Sequence, residues 1–227
     1  MTETTTLDDS TLAIAVDSEH GALRLSMLGV FALLFVISYI LINGLLSGEG
    51  MNILAVFISL GVSFVAGQQI EKTLKVRWPS GRYIEINSDS ISISKGQQTE
   101  ETVDSTQQVN VLLWRFTIKR RARVPKGWYM VACALEQDTK YISAYTFMSA
   151  DSFKELASTN LFTELVSKKD SRSKTVDRDL RLAGQQRRLH TAESQRWMHG
   201  AEMSTDDFVA YIAHLQTHFP QWMPTNS

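Results

Sequence analysis

A chain of 227 residues, 44% of them hydrophobic, is long enough for one or two domains. Its formal net charge of −1 at pH 7 is the sum of an acidic N-terminal segment and two basic stretches further along. The charge of each segment is therefore more informative than the net charge of the chain. The single cysteine, Cys133, excludes an internal disulfide and a cysteine-rich zinc site, and it fits a reducing compartment.

Residues 1–21 are predicted to form an acidic N-terminal tail. Acidic side chains recur in this segment, and no Lys or Arg accompanies them up to residue 20. The segment is therefore treated as separate from the apolar run that follows it. Its acidic residues are Glu3, Asp8, Asp9, Asp17 and Glu19.

Residues 22–70 are predicted to form a two-helix transmembrane hairpin. Residues 25–42 and 51–67 contain no charged side chain. At about 1.5 Å per residue, each helix approaches the roughly 30 Å thickness of the bilayer's hydrocarbon core. The connection, residues 43–50, is rich in glycine and too short to hold a domain. The two helices are therefore expected to be antiparallel neighbours.

The second span carries a face of small side chains that we interpret as a transmembrane packing surface. Its members, Ala55, Ser59, Ser63 and Gly67, recur every four residues, which places them on one helical face. Small side chains let another helix approach closely. The face either packs the hairpin together, which we favour, or contacts a second copy or a partner membrane protein. Neither span contains Asp, Glu, Lys, Arg or His, which argues against a proton or ion pathway in this hairpin alone.

The charges that flank the two spans predict an orientation. Arg24 precedes the first span, the turn has no basic residue, and four basic residues follow the second span. Because Lys and Arg accumulate on the cytoplasmic side, both termini and the soluble region are expected to be cytoplasmic. The predicted location is the cell inner (cytoplasmic) membrane, crossed more than once. The basic residues after the second span are Lys72, Lys75, Arg77 and Arg82.

Residues 71–167 are predicted to form a β-domain, because the apolar period there changes to two. Residues 83–86 and 90–94 alternate apolar with polar side chains, and Asn87, Ser88 and Asp89 between them favour a turn. This pattern predicts a β-hairpin. Further strands are predicted at residues 73–78, 102–105, 108–118, 127–136 and 140–147.

A helix is predicted after these strands. Ser149 can cap it, and apolar residues follow at helical spacing. A strongly bent antiparallel sheet, or barrel, with this one helix over its open end would bury both apolar faces. The predicted class is thus a membrane α-helical hairpin plus an α+β soluble domain. The apolar positions of the helix are Phe153, Leu156, Ala157, Leu161 and Leu165.

Several segments resemble the bacterial membrane-anchored pleckstrin-homology (PH)-like family, in which two transmembrane helices precede a PH-like β-domain. They are the hairpin YIEINSDSISISKG, the strand QVNVLLWRFTI, and the strand pair GWYMVACALEQDTKYISAYTF followed by SADSFKELASTNLFTELV. The resemblance covers residues 68–167. It implies a PH-like fold and a binding module for lipid, peptide or a membrane complex, and it transfers no catalytic residue.

The strongest charge feature of the β-domain is the basic segment RFTIKRRARVPK, which joins two predicted strands. It holds six basic residues and no acidic one. On a domain tethered to a bilayer, each could gain on the order of 1 kcal/mol from anionic headgroups. The alternative is a solvated hairpin tip. Nucleic acid is not predicted as a partner, because no nucleic-acid fold pattern accompanies the cluster. The candidate lipid- or partner-binding residues are Arg115, Lys119, Arg120, Arg121, Arg123 and Lys126.

Residues 168–203 are predicted to form a basic linker and then, from about Asp177, a polar helix. Leu180, Ala183 and Leu189 give this helix a thin apolar stripe. Such a helix suits docking on a partner, or partial disorder, better than independent folding. Residues 204–227 are predicted to form a short C-terminal helix and tail.

The C-terminal helix begins with an acidic capping box at Ser204 and Asp207. His214 and His218 lie four residues apart on it, a spacing that can place two imidazoles on one metal ion. A third ligand is not evident, and the glutamate of a metalloprotease motif is missing between them. No metal and no cofactor are therefore predicted.

No motif in the chain predicts an enzyme. A phosphate-binding glycine loop, a nucleophile elbow and a defensible carboxylate pair are all missing from the sequence. We expect a non-enzymatic, membrane-anchored binding or scaffold protein that engages a membrane protein complex or an anionic lipid surface. The alternative is an accessory subunit of a membrane complex, recognised mainly through its hairpin. The predicted partners are membrane lipid and either a membrane protein or a second copy.

Overall fold

The computed structural model describes residues 12–17, 21–46, 50, 52–119, 124–156, 159–166 and 180–224. The chain divides into two compact units. One consists of Ser18–Ser80 and is called the hairpin unit here. The other consists of Met1–Asp17 together with Gly81–Ser227 and is called the sheet unit. The sheet unit is therefore built from two separate stretches of sequence.

The hairpin unit contains two long apolar helices, α1 (Gly21–Leu46) and α2 (Ile53–Arg77). By length and composition, Ala22–Leu46 and Ile53–Lys75 are able to cross a membrane. Asn52 caps α2 by accepting a hydrogen bond from the Leu54 N–H at 2.9 Å. The Asn52 N–H in turn donates to the side-chain oxygen of Asn43 at 3.0 Å. Two asparagines thus fix the end of α1 to the start of α2.

The strand predicted at residues 73–78 is wrong, because α2 continues through this segment to Arg77. A helix that has already formed adds residues at little cost. Glu71 and Lys75 form an i,i+4 ion pair at 2.8 Å, and the basic residues of the last turn suit the helix dipole. The Trp78 N–H closes the final turn by donating to the Leu74 carbonyl at 2.8 Å. Extension of α2 therefore determined the structure of these residues in spite of their strand-like alternation.

The first sheet of the sheet unit has the order β1-β2-β3-β4 and is antiparallel throughout. Its strands are Leu12–Val16, Arg82–Ile86, Ser90–Lys95 and Gln98–Asp104. The predicted hairpin with its turn at residues 87–89 is confirmed as β2 and β3.

Strand β1 was not predicted, and it lies within the segment interpreted as an acidic tail. It pairs with β2 in continuous register, from Leu12 opposite Ile86 to Val16 opposite Arg82. The apolar residues Ile14 and Val16 are buried in the core. Because β1 precedes the hairpin unit and β2 follows it, the whole hairpin unit is inserted between two paired strands.

The second sheet has the order β8-β5-β6-β7-β9. Three long antiparallel strands form its centre: β5 (Asn110–Thr117), β6 (Tyr129–Gln137) and β7 (Lys140–Met148). Two short strands, β8 (Thr163–Glu164) and β9 (Ala201–Glu202), pair in parallel with its edges. The expectation of purely antiparallel pairing therefore fails at both edges.

Alternation along β5 and β6 divides the apolar side chains between two cores. Leu113, Val131 and Cys133 join the residues of the first sheet in one core. Trp114 and Ala132 face the opposite side of the second sheet and contribute to another core. That second core lies under the polar helix α4 (Leu180–His199), whose buried residues are Leu189 and Ala192.

The helix predicted after the last long strand does not cover the sheet in the way that the sequence indicated. Helix α3 (Ala150–Glu155) begins at the Ser149 cap but ends after six residues, instead of continuing to Leu165. A 3₁₀ turn at Thr159–Leu161 and strand β8 follow it. The C-terminal helix α5 (Thr205–His218) inserts into the first core instead. Its buried residues are Phe208, Tyr211, Ile212 and Leu215.

Candidate functional site

The structure separates Arg115 from the rest of the basic segment. Its side chain is three-quarters buried, and its guanidinium carbon lies 4.8 Å from the ring centroid of Tyr129 and 5.0 Å from that of Phe153. A guanidinium nitrogen lies 4.0 Å from a carboxylate oxygen of Glu164 on β8. Arg115 therefore packs at the edge of the first core and anchors neighbouring elements by cation–π contact. It does not project with the loop.

The loop between β5 and β6 holds the remaining candidate residues. Lys119 and Lys126 are exposed on either side of it. Arg120, Arg121 and Arg123 lie outside the described residues. The neck of the loop is closed by two backbone hydrogen bonds, from the Ile118 N–H to the Trp128 carbonyl at 2.8 Å and from the Gly127 N–H to the Ile118 carbonyl at 3.1 Å. The described ends of the loop therefore form a regular hairpin neck with an exposed lysine on each side.

The tryptophans that flank this loop belong to the second core. Trp114 is fully buried, and its indole N–H donates to a Glu193 carboxylate oxygen on α4 at 3.0 Å. Trp128 is half-buried and packs against the same core. Both indole rings therefore pack in the sheet unit, and the exposed charged side chains described beside the loop are Lys119 and Lys126.

The small side chains of α2 lie on a buried face of the hairpin unit. Ala55, Ser59 and Ser63 are fully buried, and a Cβ on Gly67 would lie 3.9 Å from a ring carbon of Phe31 on α1. The two serine hydroxyls donate to carbonyls four residues earlier, each at 2.6 Å. This placement is what packing between α1 and α2 would produce.

A polar cluster centred on Arg82, called the Arg82 clasp here, lies at the point where the chain returns from the hairpin unit. Its guanidinium donates to Asp17 at 2.7 Å and to Glu100 at 2.8 Å. It also donates to the backbone carbonyls of His199 at 2.8 Å and Gly200 at 3.3 Å. One side chain thus connects β1, β2, β4 and the end of α4.

Asp17, the last residue before the hairpin unit, also connects the clasp to β9. Its backbone adopts a left-handed conformation, with φ of 55°, which aspartate tolerates better than most residues. Its N–H donates to the Glu202 carbonyl at 2.8 Å, and its carboxylate accepts the Glu202 N–H at 2.9 Å. Asp17 therefore fastens the end of β1 to β9.

Gly200 allows α4 to end beside the clasp. A Cβ at this position would collide with the carbonyl oxygen of Arg196, which accepts the Gly200 N–H at 2.8 Å. The close turn brings the carbonyls of His199 and Gly200 to the Arg82 guanidinium. Sequence reasoning missed this site because Asp17 and Arg82 were counted only as tail and membrane-flanking charges. The apolar run Leu12–Val16 was the signal that a strand precedes the hairpin.

A second buried polar cluster docks α4 on the sheet. Arg196 is buried and donates to both carboxylate oxygens of Glu193, at 2.8 and 2.6 Å. Its guanidinium carbon also lies 4.6 Å from the ring centroid of Tyr145. Burial, and then the carboxylate of Glu202, raise the pKa of Tyr145 to about 12, so this phenol stays neutral. The predicted polar helix therefore docks within its own chain.

A basic residue earlier on α4 is also engaged within the sheet unit. Arg188 donates to a Glu136 carboxylate oxygen at 2.6 Å, and the Tyr141 hydroxyl donates to the other oxygen. Burial alone would raise the pKa of Glu136, but the hydrogen bonds from Tyr141 and Arg188 outweigh it and lower that pKa. The Glu136 carboxylate therefore has a structural role, because it joins α4 to the second sheet.

The described histidines of α5 are candidate metal ligands, and the single cysteine is a candidate nucleophile. Within the described part of the chain, no group of three or more His, Cys, Asp or Glu side chains could hold a metal ion. The rings of His214 and His218 stack with centroids 3.9 Å apart, and burial and the neighbouring imidazole lower the pKa of His214. Burial raises the pKa of the Cys133 thiol and keeps it protonated.

The C-terminal end of α4 exposes two large apolar side chains beside the clasp. Trp197 is 73% exposed and Met198 is 63% exposed. Both line an open groove of about 400 Å³, to which His190, Glu193 and Ser194 also contribute. Most large apolar side chains described in the sheet unit are buried, so the exposure of this pair is unusual.

Comparison of the chain with protein-family models, with curated proteins and with solved structures finds no match. The structure itself defines the architecture of the chain. Two long apolar helices, able by length and composition to cross a membrane, interrupt the first strand pair of a sheet-rich α+β unit.

Proposed function

We propose that this chain is a non-enzymatic, membrane-anchored binding or scaffold protein. The hairpin unit spans the cytoplasmic membrane, and the sheet unit is a PH-like domain on the cytoplasmic side. The pairing of β1 with β2 carries the proposal. Because the two strands lie in one sheet, both ends of the hairpin unit must be on the same side of the membrane. Two antiparallel spans satisfy that requirement, whereas a single span would separate the strands.

The order of elements supports the PH-like assignment. A four-stranded antiparallel meander, β1 to β4, precedes a three-stranded meander, β5 to β7, and helix α5 packs its apolar face into the core that both sheets share. The two antiparallel meanders and the helix over their shared core are the features that support the proposed PH-like domain, whereas the parallel edge strands β8 and β9 depart from a purely antiparallel sheet. Elements α3, β8, α4 and β9 are additions between the last long strand and that helix.

The basic tip of the β5–β6 loop supports an anionic lipid surface as a binding partner. Lys119 and Lys126 are exposed there, and three arginines lie between them in sequence. A domain held at the membrane keeps such a loop at high local concentration near headgroups. Each basic residue then contributes on the order of 1 kcal/mol, and salt weakens the effect.

Lys119→Gln with Lys126→Gln is expected to weaken binding to anionic vesicles about 25-fold, since each charge is worth about 1 kcal/mol near such a surface. The measurement is vesicle flotation of a chain in which a short Gly-Ser linker replaces residues 18–80, so that the hairpin cannot insert. Phosphatidylcholine vesicles with and without phosphatidylserine supply the anionic surface and its control.

Lys140→Gln with Lys154→Gln is the matched control, because it removes the same charge from exposed positions elsewhere on the sheet unit. Equal weakening by the two pairs would show that net charge, and not the loop, drives binding. Flotation that is unaffected by phosphatidylserine would instead favour a membrane protein complex as the partner.

A further inference from the structure

The end of α4 presents an apolar surface that the sheet unit does not use for its own packing. Trp197 and Met198 are 73% and 63% exposed, whereas Leu189 and Ala192 of the same helix are buried in the second core. The residues that follow at once, His199 and Gly200, are held by Arg82 through their carbonyls. The exposed pair is thus attached directly to the Arg82 clasp.

Short connections join the clasp residues to the two apolar helices in the chain. Arg82 follows the end of α2 at Arg77 by five residues, and Gly21 begins α1 four residues after Asp17. Five residues of extended chain reach at most about 18 Å. Covalent reach alone therefore keeps the backbone of Asp17 and of Arg82 within about 18 Å of the helix end that each connection joins.

We propose that Trp197 and Met198 insert into the interfacial region of the bilayer and fix the orientation of the sheet unit on the membrane. The inference rests on the proposed function, because it requires a hairpin unit that spans. Tryptophan is enriched at membrane interfaces, where its apolar ring and polar N–H both find partners. Methionine adds a flexible apolar side chain.

The chemistry of the clasp indicates that this contact is apolar, unlike the contact proposed for the basic loop. Around the Arg82 guanidinium lie the carboxylates of Asp17 and Glu100, and Glu202 follows on β9. The carboxylates outnumber the single guanidinium that they surround, so the clasp itself offers anionic headgroups no net attraction. The contact at Trp197 is therefore expected in zwitterionic lipid and at high salt as well.

Site-specific fluorescence in the full chain tests the inference. Trp197→Cys is labelled with an environment-sensitive maleimide and reconstituted in phosphatidylcholine proteoliposomes that contain nitroxide-bearing lipids. Leu182→Cys is the matched control, since Leu182 is 54% exposed near the other end of the same helix, about 22 Å away at about 1.5 Å per residue. The native Cys133 is buried, and the chain without an added cysteine measures its background labelling.

The expected result is a blue-shifted probe at position 197 that lipid nitroxides quench severalfold more strongly than the probe at position 182, with no change at high salt. Equal quenching at the two positions would overturn the inference. A blue shift without lipid quenching would overturn it too, because it indicates a protein partner or a second copy on this surface.

Extraction with alkaline carbonate separates failure of the inference from failure of the proposed function. A chain that stays in the membrane but leaves position 197 unquenched retains its anchor and lacks the proposed contact. A chain that carbonate removes has no spanning hairpin, and the proposed function then fails together with the inference.

Discussion

Replacing residues 18–80 by a short Gly-Ser linker between Asp17 and Gly81 is expected to give a soluble chain that folds cooperatively. Val16 lies opposite Arg82 in the β1–β2 pair, so a tight connection can join the strands once the hairpin unit is removed. The core of the sheet unit keeps all its strands in this variant. Circular dichroism during thermal unfolding and size-exclusion chromatography measure the outcome.

Deleting residues 1–80 is the decisive comparison, because it removes β1 together with the hairpin unit. The buried side chains of Ile14 and Val16 are lost, at roughly 1.5–3 kcal/mol each, and β2 becomes an exposed edge prone to aggregation. We expect this chain to be expanded or aggregated. If both variants unfold at the same temperature, β1 contributes nothing to the sheet and the inserted architecture is wrong.

Arg82→Met is expected to lower the free energy of unfolding of the linker variant by about 2 kcal/mol, between the value for an exposed ion pair and the value for breaking a buried one. The intermediate value applies because the side chains of Arg82, Asp17 and Glu100 are 16%, 23% and 35% exposed. Methionine retains apolar bulk but leaves Asp17, Glu100 and two carbonyls without the guanidinium. Urea unfolding measures the change, and a loss of this size would make the clasp a principal stabiliser of the β1–β2 pair.

Lys154→Met provides the control for that measurement. Lys154 forms an ion pair with Asp151 at 3.1 Å, but both side chains are largely exposed. Its removal is expected to cost at most about 1 kcal/mol. A similar small cost for Arg82→Met would mean that solvent replaces the clasp contacts and that the strands alone hold β1 in place.

The elements with strong local patterns were accessible from the sequence. The uncharged runs predicted α1 and α2, and period-two alternation predicted β2, β3 and the three long strands of the second sheet. The cap at Ser204 with apolar residues at helical spacing predicted α5. In each of these segments local propensity and tertiary packing agree, so periodicity is sufficient.

The elements that failed depend on distant partners. Strand β1 has five residues, and its partner β2 lies beyond the whole hairpin unit. The apolar run Leu12–Val16 is a signal of a strand, but nothing local to it identifies the partner strand. Strands β8 and β9 have two residues each and exist only as edge pairs. Residues 73–78 alternate as a strand would, yet an established helix extends through them to Arg77. The clasp requires β1, β9 and the end of α4 to be placed together.

Cysteine accessibility in intact cells tests the central claim most directly, namely that an inserted hairpin crosses the membrane with the sheet unit on the cytoplasmic side. Ser47→Cys lies in the connection between α1 and α2, and Lys126→Cys lies at the exposed basic tip of the sheet unit. A membrane-impermeant maleimide is predicted to label position 47 in intact cells and position 126 only after the cells are opened. Labelling of position 126 from outside, or of position 47 only after lysis, would contradict the account.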